Sequence, residues 1–304
     1  MNRYPDADAS DLKAAIAKEH GVQKTQVIPT NGADELITLI SEAFLEPGDE
    51  IIVPDPSFSE YDFGAHIMGA KVVKVPFAQG FAFDVDAMIA AVTDKTKIIY
   101  ICSPNNPTGT YMKKQDVQKL LDAVGDTLVV FDAAYSHYAD AEDYTDGTEF
   151  IRQGYPLLTL KTFSKIYGIA GVRVGFGIAA DSIITSILKV KEPFNVNTLA
   201  QLAATAAVSD HEHVAQSRET NTRGLEYLYG AFEELGLPYT KSMANFVLVK
   251  LGDEGETLYQ DLMKKGVIVR HGKGWGLPEY VRVSIGTQEE NEFFVQALRE
   301  LIQK

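Results

Sequence analysis

The sequence contains one cysteine, Cys102, in 304 residues. That excludes an internal disulfide framework and a cysteine-rich metal site, and it suits a reducing, cytoplasmic setting. Cations are scarce as well: 28 Lys and Arg stand against 42 Asp and Glu, a formal net charge of −14. A nucleic-acid surface needs clustered Lys and Arg, so that class of partner is excluded. No apolar run reaches membrane-spanning length, and the opening Met1–Ser10 is polar rather than signal-like. Internal repeats, low-complexity tracts and charge blocks are missing too. The histidines of His211-Glu212-His213 have the wrong spacing to share a helix face, so they read as solvated and no metal is expected. Gly272-Lys273-Gly274-Trp275-Gly276 does not open a helix after a strand, as a nucleotide-binding loop must.

What is present is an ordinary globular composition and enough chain for a large core and two domains. Residues 11–20 read as a helix. From Gly32 onward helices alternate with short apolar strands near 51–54, 71–76, 97–102, 128–132 and 157–162, with 113–123 as one of the helical linkers. This alternation predicts an α/β fold, a mainly parallel sheet covered on both faces. Residues 172–178 read as one further strand. A long helical region follows over 182–235, interrupted at Pro193. Strands at 245–249, 267–269 and 281–285 with a helix over 289–301 complete a compact α+β unit. The expected division is a large domain over 1–212 and a small one over 213–304.

Chemistry gathers where the strands end. The run Leu157–Leu160 leads into Thr162 and Ser164, then Lys165, with Arg173 eight residues on. A lysine amine forms a Schiff base with an aldehyde, and hydroxyls with a guanidinium suit a phosphate dianion. Leu128-Val-Val-Phe stops at Asp132, and Lys97–Cys102 empties into Ser103-Pro-Asn-Asn106-Pro-Thr-Gly109. In an open parallel sheet the carboxyl ends of the strands lie on one side, where ligands bind. A lysine, a carboxylate and an amide delivered there match the needs of pyridoxal 5'-phosphate. Asp132 would keep the pyridine nitrogen protonated, so that the ring withdraws electrons. Asn106 and Tyr135 would donate to the phenolate oxygen. Phe58, on the proline-bounded loop after a short strand, would stack on the ring, with Tyr61 as an alternative. Leu36, Ile37, Ile40 and Phe44 mark a helical face that begins just after Gly32, and the free N–H groups there would meet the phosphate.

These segments resemble the fold-type I pyridoxal-phosphate aminotransferases and, within them, the histidinol-phosphate aminotransferase family. The likeness runs through Asn2-Arg-Tyr4-Pro-Asp6, Asn31-Gly-Ala-Asp-Glu35, Pro54–Tyr61, Asn105–Gly109, Asp132–Tyr135, Thr162–Lys165 and Val281–Thr287. It implies a seven-stranded-type large domain and a small C-terminal one. It also implies that Lys165 anchors the cofactor and moves the proton, and that backbone groups of Ala33 and Asp34, with Thr162, Ser164 and Arg173, hold the phosphate. Arg282 matches the position that binds a substrate α-carboxylate, and Arg270 a position that contacts a substrate phosphate. Tyr4 matches a tyrosine that reaches the neighbouring subunit's cofactor phosphate, which implies a homodimer with shared sites. Two departures stand out. Ala133 replaces a common acid, and family members generally carry an arm of a few dozen residues ahead of the Arg3-Tyr4-Pro5 stretch. The function implied is transamination between histidinol phosphate and 2-oxoglutarate. Aromatic amino-acid aminotransferase and threonine-phosphate decarboxylase share much of the motif set. A non-catalytic regulator of this fold would need a basic helix-turn-helix segment, which the sequence does not contain.

Overall fold

The computed structural model describes residues 2–302. Seven strands form the main sheet: β1 (Val27–Thr30), β2 (Glu50–Asp55), β3 (Lys71–Pro76), β4 (Thr96–Cys102), β5 (Leu128–Asp132), β6 (Leu157–Thr162) and β7 (Gly175–Ala179), in the order β1-β7-β6-β5-β4-β2-β3. Pairs β2–β3, β2–β4, β4–β5 and β5–β6 are parallel, while β7 runs antiparallel to both β1 and β6. The expected mainly parallel sheet is therefore present. The chain leaves β2 toward β3 but leaves β4 toward β5, and this divergence opens a crevice at their carboxyl ends.

Strand alternation explains why both faces are covered. On β5, Val129 and Phe131 join one core with Leu12 and Ile16 of α1 (Ser10–His20), Val85 and Met88 of α4 (Val85–Ala90) and Val117 and Leu120 of α5 (Lys114–Val124). Leu128 and Val130 join the other, with Leu36, Ile37 and Ile40 of α2 (Gly32–Phe44), Tyr61 of α3 (Glu60–Ile67) and Ile184 of α7 (Asp181–Leu188). A strand buried on both faces must be apolar throughout, as Leu128–Phe131 is.

Four expectations need correction. Strand β1 was not foreseen: Val-Ile-Pro-Thr is short and contains Pro29, which is tolerated because β1 lies at the sheet edge. Strand β7 begins at Gly175 rather than Val172, because residues 170–172 form a 3-10 turn and Arg173 takes a left-handed φ of 60°. The long helical region is three helices, α7, α8 (Thr198–Ala207) and α9 (His211–Glu234).

The last part of the chain forms a second, antiparallel sheet of β8 (Phe246–Lys250), β10 (Tyr280–Ser284) and β9 (Arg270–His271), in the order β8-β10-β9. Residues 267–269 were expected to be strand but lie outside it, since only Arg270 and His271 pair with β10. Its core combines Leu228, Ala231 and Phe232 from the end of α9 with Leu258 of α10 (Gly255–Lys264) and Phe294 of α11 (Gln288–Ile302). No described helix is long and apolar enough to cross a membrane.

Candidate active site

The same alternation that buries the sheet sets the site. Residues 98, 100 and 102 of β4, 128, 130 and 132 of β5, and 158 and 160 of β6 face α2 and α3, and Thr162 shares that parity. Cys102 lies in register with Asp132, so the two end side by side at the sheet's edge. Beyond them opens a cavity of about 250 Å³ lined by Ala33, Asp34, Phe58, Cys102, Asn106, Asp132, Ala134, Tyr135, Thr162, Ser164, Lys165, Arg173 and Arg282. Eleven of the thirteen positions singled out in the sequence, counted with Tyr4 and Arg270, thus line one space; Cys102 and Ala134 were not foreseen.

Asp132 is 4% exposed. Its Oδ1 accepts the Ala134 N–H at 3.0 Å and its Oδ2 accepts the Tyr61 hydroxyl at 2.6 Å. Burial raises the carboxyl's pKa above the ordinary value, against the lowering effect of those two bonds and of the Lys165 charge. Both donors are neutral, and among the described residues no ion pair engages the carboxylate. Such a group is ready for a buried cationic partner. Lys165 sits with its Nζ 5.3 Å from the Tyr135 ring centre, a cation–π distance. Burial, with the Arg282 charge behind it, holds the Lys165 pKa below that of an ordinary lysine. The neighbouring Lys161, one residue before Thr162, has the opposite parity. It is buried beneath the other face, paired with Asp146 at 2.7 Å, and takes no part in the cavity.

The anion end is built from a helix terminus and an arginine. No side chain caps the start of α2, which leaves its first N–H groups available. Arg173 donates from Nη1 to Ser164 Oγ at 3.3 Å and pairs from Nη2 with Asp34 at 3.0 Å. Thr162 Oγ1 accepts the Ser164 N–H at 3.1 Å. Gly32 begins the helix at φ 81°, and a Cβ there would stand 2.4 Å from Arg173 Nη2. The positive φ favours glycine here, and its missing side chain leaves the guanidinium room against the helix terminus.

At the opposite end Arg282 donates to Asn106 Oδ1, which leaves the amide's N–H groups as its free donors. The guanidinium carbon is 4.8 Å from the Phe246 ring centre and 5.3 Å from that of Trp275, and its buried Nε–H has no partner. An orphaned donor on a buried cation fits a carboxylate ligand.

Two positions lie outside the cavity. Tyr4 is 81% exposed and stacks on Phe194 with ring centres 4.7 Å apart. Arg270 is exposed on β9, yet it is the ladder partner of Arg282, and its guanidinium lies 5.9 Å from the same Trp275 ring. Tyr61, the alternative stacking ring, is fully buried and meets Phe58 edge-on at 5.7 Å; of the two, Phe58 lines the cavity. His213 is exposed, as expected, but its Nε2 also meets the Ile166 carbonyl at 3.0 Å. Among the described residues no cluster could hold a metal ion.

Residues 1–298 match the family described as aminotransferase class I and II. A histidinol-phosphate aminotransferase of Moorella thermoacetica is 46% identical over 301 residues, covering 98% of this chain and 78% of that protein. The crystal structure of the histidinol-phosphate aminotransferase of Clostridium acetobutylicum superposes with a TM-score of 0.92 at 25% identity, covering 99% of this chain and 91% of that one. The Sinorhizobium meliloti histidinol-phosphate aminotransferase, solved in complex with pyridoxal-5'-phosphate, shares the fold with a TM-score of 0.92 at 24% identity, covering 99% and 83%. A likeness that runs through nearly the whole chain, in sequence and in fold alike, leaves one conclusion: the protein belongs to the class I and II aminotransferases.

Proposed function

We propose that the chain is a pyridoxal-phosphate-dependent transaminase that exchanges an amino group between histidinol phosphate and 2-oxoglutarate, as a cytoplasmic enzyme of histidine biosynthesis. The observation that carries this reading is the single cavity in which Lys165 stands between a buried carboxylate at one strand end and an arginine-flanked helix terminus. These residues fit the cofactor: Asp132 would meet the pyridine nitrogen, Asn106 and Tyr135 the phenolate oxygen, Phe58 the ring, and Ala33, Asp34, Thr162, Ser164 and Arg173 the phosphate. When bound, pyridoxal phosphate supplies an aldehyde that takes up the amino group and a ring that withdraws electrons from it. Lys165 Nζ would hold the aldehyde end and would move the proton at the substrate α-carbon. Its depressed pKa serves that task, because the amine must exist neutral to accept the proton near neutrality. Residues 1–212 thereby hold the cofactor, and 213–304 contribute the substrate arginines.

Histidinol phosphate has no α-carboxylate but carries a phosphate, whereas 2-oxoglutarate presents carboxylates. Arg282, with an orphaned Nε–H, suits the carboxylate. Arg270, its cross-strand neighbour beside Trp275, suits the phosphate. An aromatic substrate would need only the first of these cations.

Shared sites in a homodimer are supported by Tyr4, an exposed ring outside the cavity that stacks on Phe194, and by the exposed apolar side chains Phe194, Leu199 and Leu202. A second copy would cover these side chains and receive Tyr4 at its own cofactor phosphate.

Three outcomes test the proposal. Borohydride reduction after incubation with pyridoxal phosphate should place the label on Lys165 in peptide maps; a label on another lysine removes that residue from its role. Mixing Lys165→Ala and Tyr4→Phe subunits should restore one wild-type-like site per heterodimer in a turnover assay, whereas mere averaging of the parents' activities contradicts shared sites. Arg270→Ala should weaken histidinol phosphate roughly ten- to a hundredfold, the worth of a hydrogen bond to a charged group, and change phenylalanine much less. Equal losses for the two substrates would favour the aromatic aminotransferase.

A further inference from the structure

Tyr61 is a fully buried tyrosine that touches two groups of the cavity without lining it. Its hydroxyl donates to Asp132 Oδ2 at 2.6 Å, and its ring meets Phe58 edge-on at 5.7 Å. The ring's other face stacks on Tyr100 with centres 4.3 Å apart and planes 14° from parallel. Helix α3, which carries it, packs tightly on α2, since a Cβ on Gly64 would lie 2.5 Å from Ser41 Oγ. Tyr61 is thus held by a ring stack and a helix contact, and its one polar atom is aimed at the carboxylate.

We propose that Tyr61 is a positioning residue for the transamination: its hydroxyl fixes the orientation and charge of Asp132, so that the carboxylate meets the pyridine nitrogen of the cofactor. This rests on the functional reading above and adds to it a residue that touches neither substrate nor cofactor. The geometry gives the reason. A carboxylate with two oxygens and only the Ala134 N–H on one of them could turn; the second bond, on the other oxygen, removes that freedom. The charge argument has the same direction. Burial favours the neutral acid, and the phenol's bond favours the anion. Without the hydroxyl the acid would protonate at higher pH, and a neutral acid would not hold the ring nitrogen charged.

Tyr61→Phe removes the hydroxyl and keeps both ring contacts. We expect the dissociation constant for pyridoxal phosphate, read by spectroscopic titration, to rise roughly ten- to a hundredfold. In turnover, kcat should fall with little change in the KM for the amino donor, and the acid limb of the kcat profile should move to higher pH. Tyr100→Phe, which deletes a buried hydroxyl that has no partner, should change none of these. In an Asp132→Asn background, Tyr61→Phe should add little further loss, because the group it acts through is gone. Full additivity in that background, or an unshifted pH profile and unchanged cofactor affinity in the single variant, overturns the proposal. If the unsubstituted protein binds no pyridoxal phosphate, the functional reading fails first, and the two failures are thereby distinguished.

Discussion

The site depends on one buried charge. Asp132 ends the central strand of the main sheet, out of water, with two neutral hydrogen-bond donors and, among the described residues, no ion pair. An isolated carboxylate in such a place is costly unless something compensates it, and the protein's own groups do so only in part. The rest of the site can be read outward from this charge. Lys165, Phe58, Arg173 and the first residues of α2 line the same cavity.

The sheet is what makes this arrangement possible. Parallel strands bring several carboxyl ends to one edge, and the register of β4 and β5 puts Cys102 and Asp132 level with each other. The antiparallel β7 adds to the same edge from the opposite direction, because Gly175 pairs with both Thr30 and Thr162. A Cβ on Gly175 would lie 2.7 Å from the Ala33 nitrogen, so the strand start and the helix start are in direct backbone contact. Thr162, Arg173 and the N–H groups of α2 therefore share one small region despite their separation in sequence.

Much of this was legible in the amino-acid order. Leu128–Phe131 and Leu157–Leu160 are too apolar for anything but buried strands, and the polar residues that end them mark the functional edge. Helix α2 announced itself by Leu36, Ile37 and Ile40 following Asn31-Gly32. Other parts were hidden for physical reasons. The short edge strand β1 contains a proline and carries little pattern. The pairing of β9 stops after two residues, so Val267–Val269 look like strand without a partner. The Tyr61–Asp132 bond joins residues 71 apart, and nothing local distinguishes that tyrosine from a core ring. Strand parity held the missing clue, since it points Asp132 toward α3 rather than toward the opposite face. The roles proposed for Tyr4 and Arg270 rest on the resemblance and on their neighbours, Phe194 and Trp275, rather than on the cavity itself.

The central claim is that Asp132 receives a charged pyridine nitrogen. It is tested most directly by comparing the affinity of the protein for pyridoxal phosphate with that for an analogue whose ring nitrogen is replaced by C–H, with aldehyde and phosphate unchanged. The account predicts that the analogue binds roughly ten- to a hundredfold more weakly, the value of a charge-assisted hydrogen bond. Equal affinity for the two compounds would contradict it.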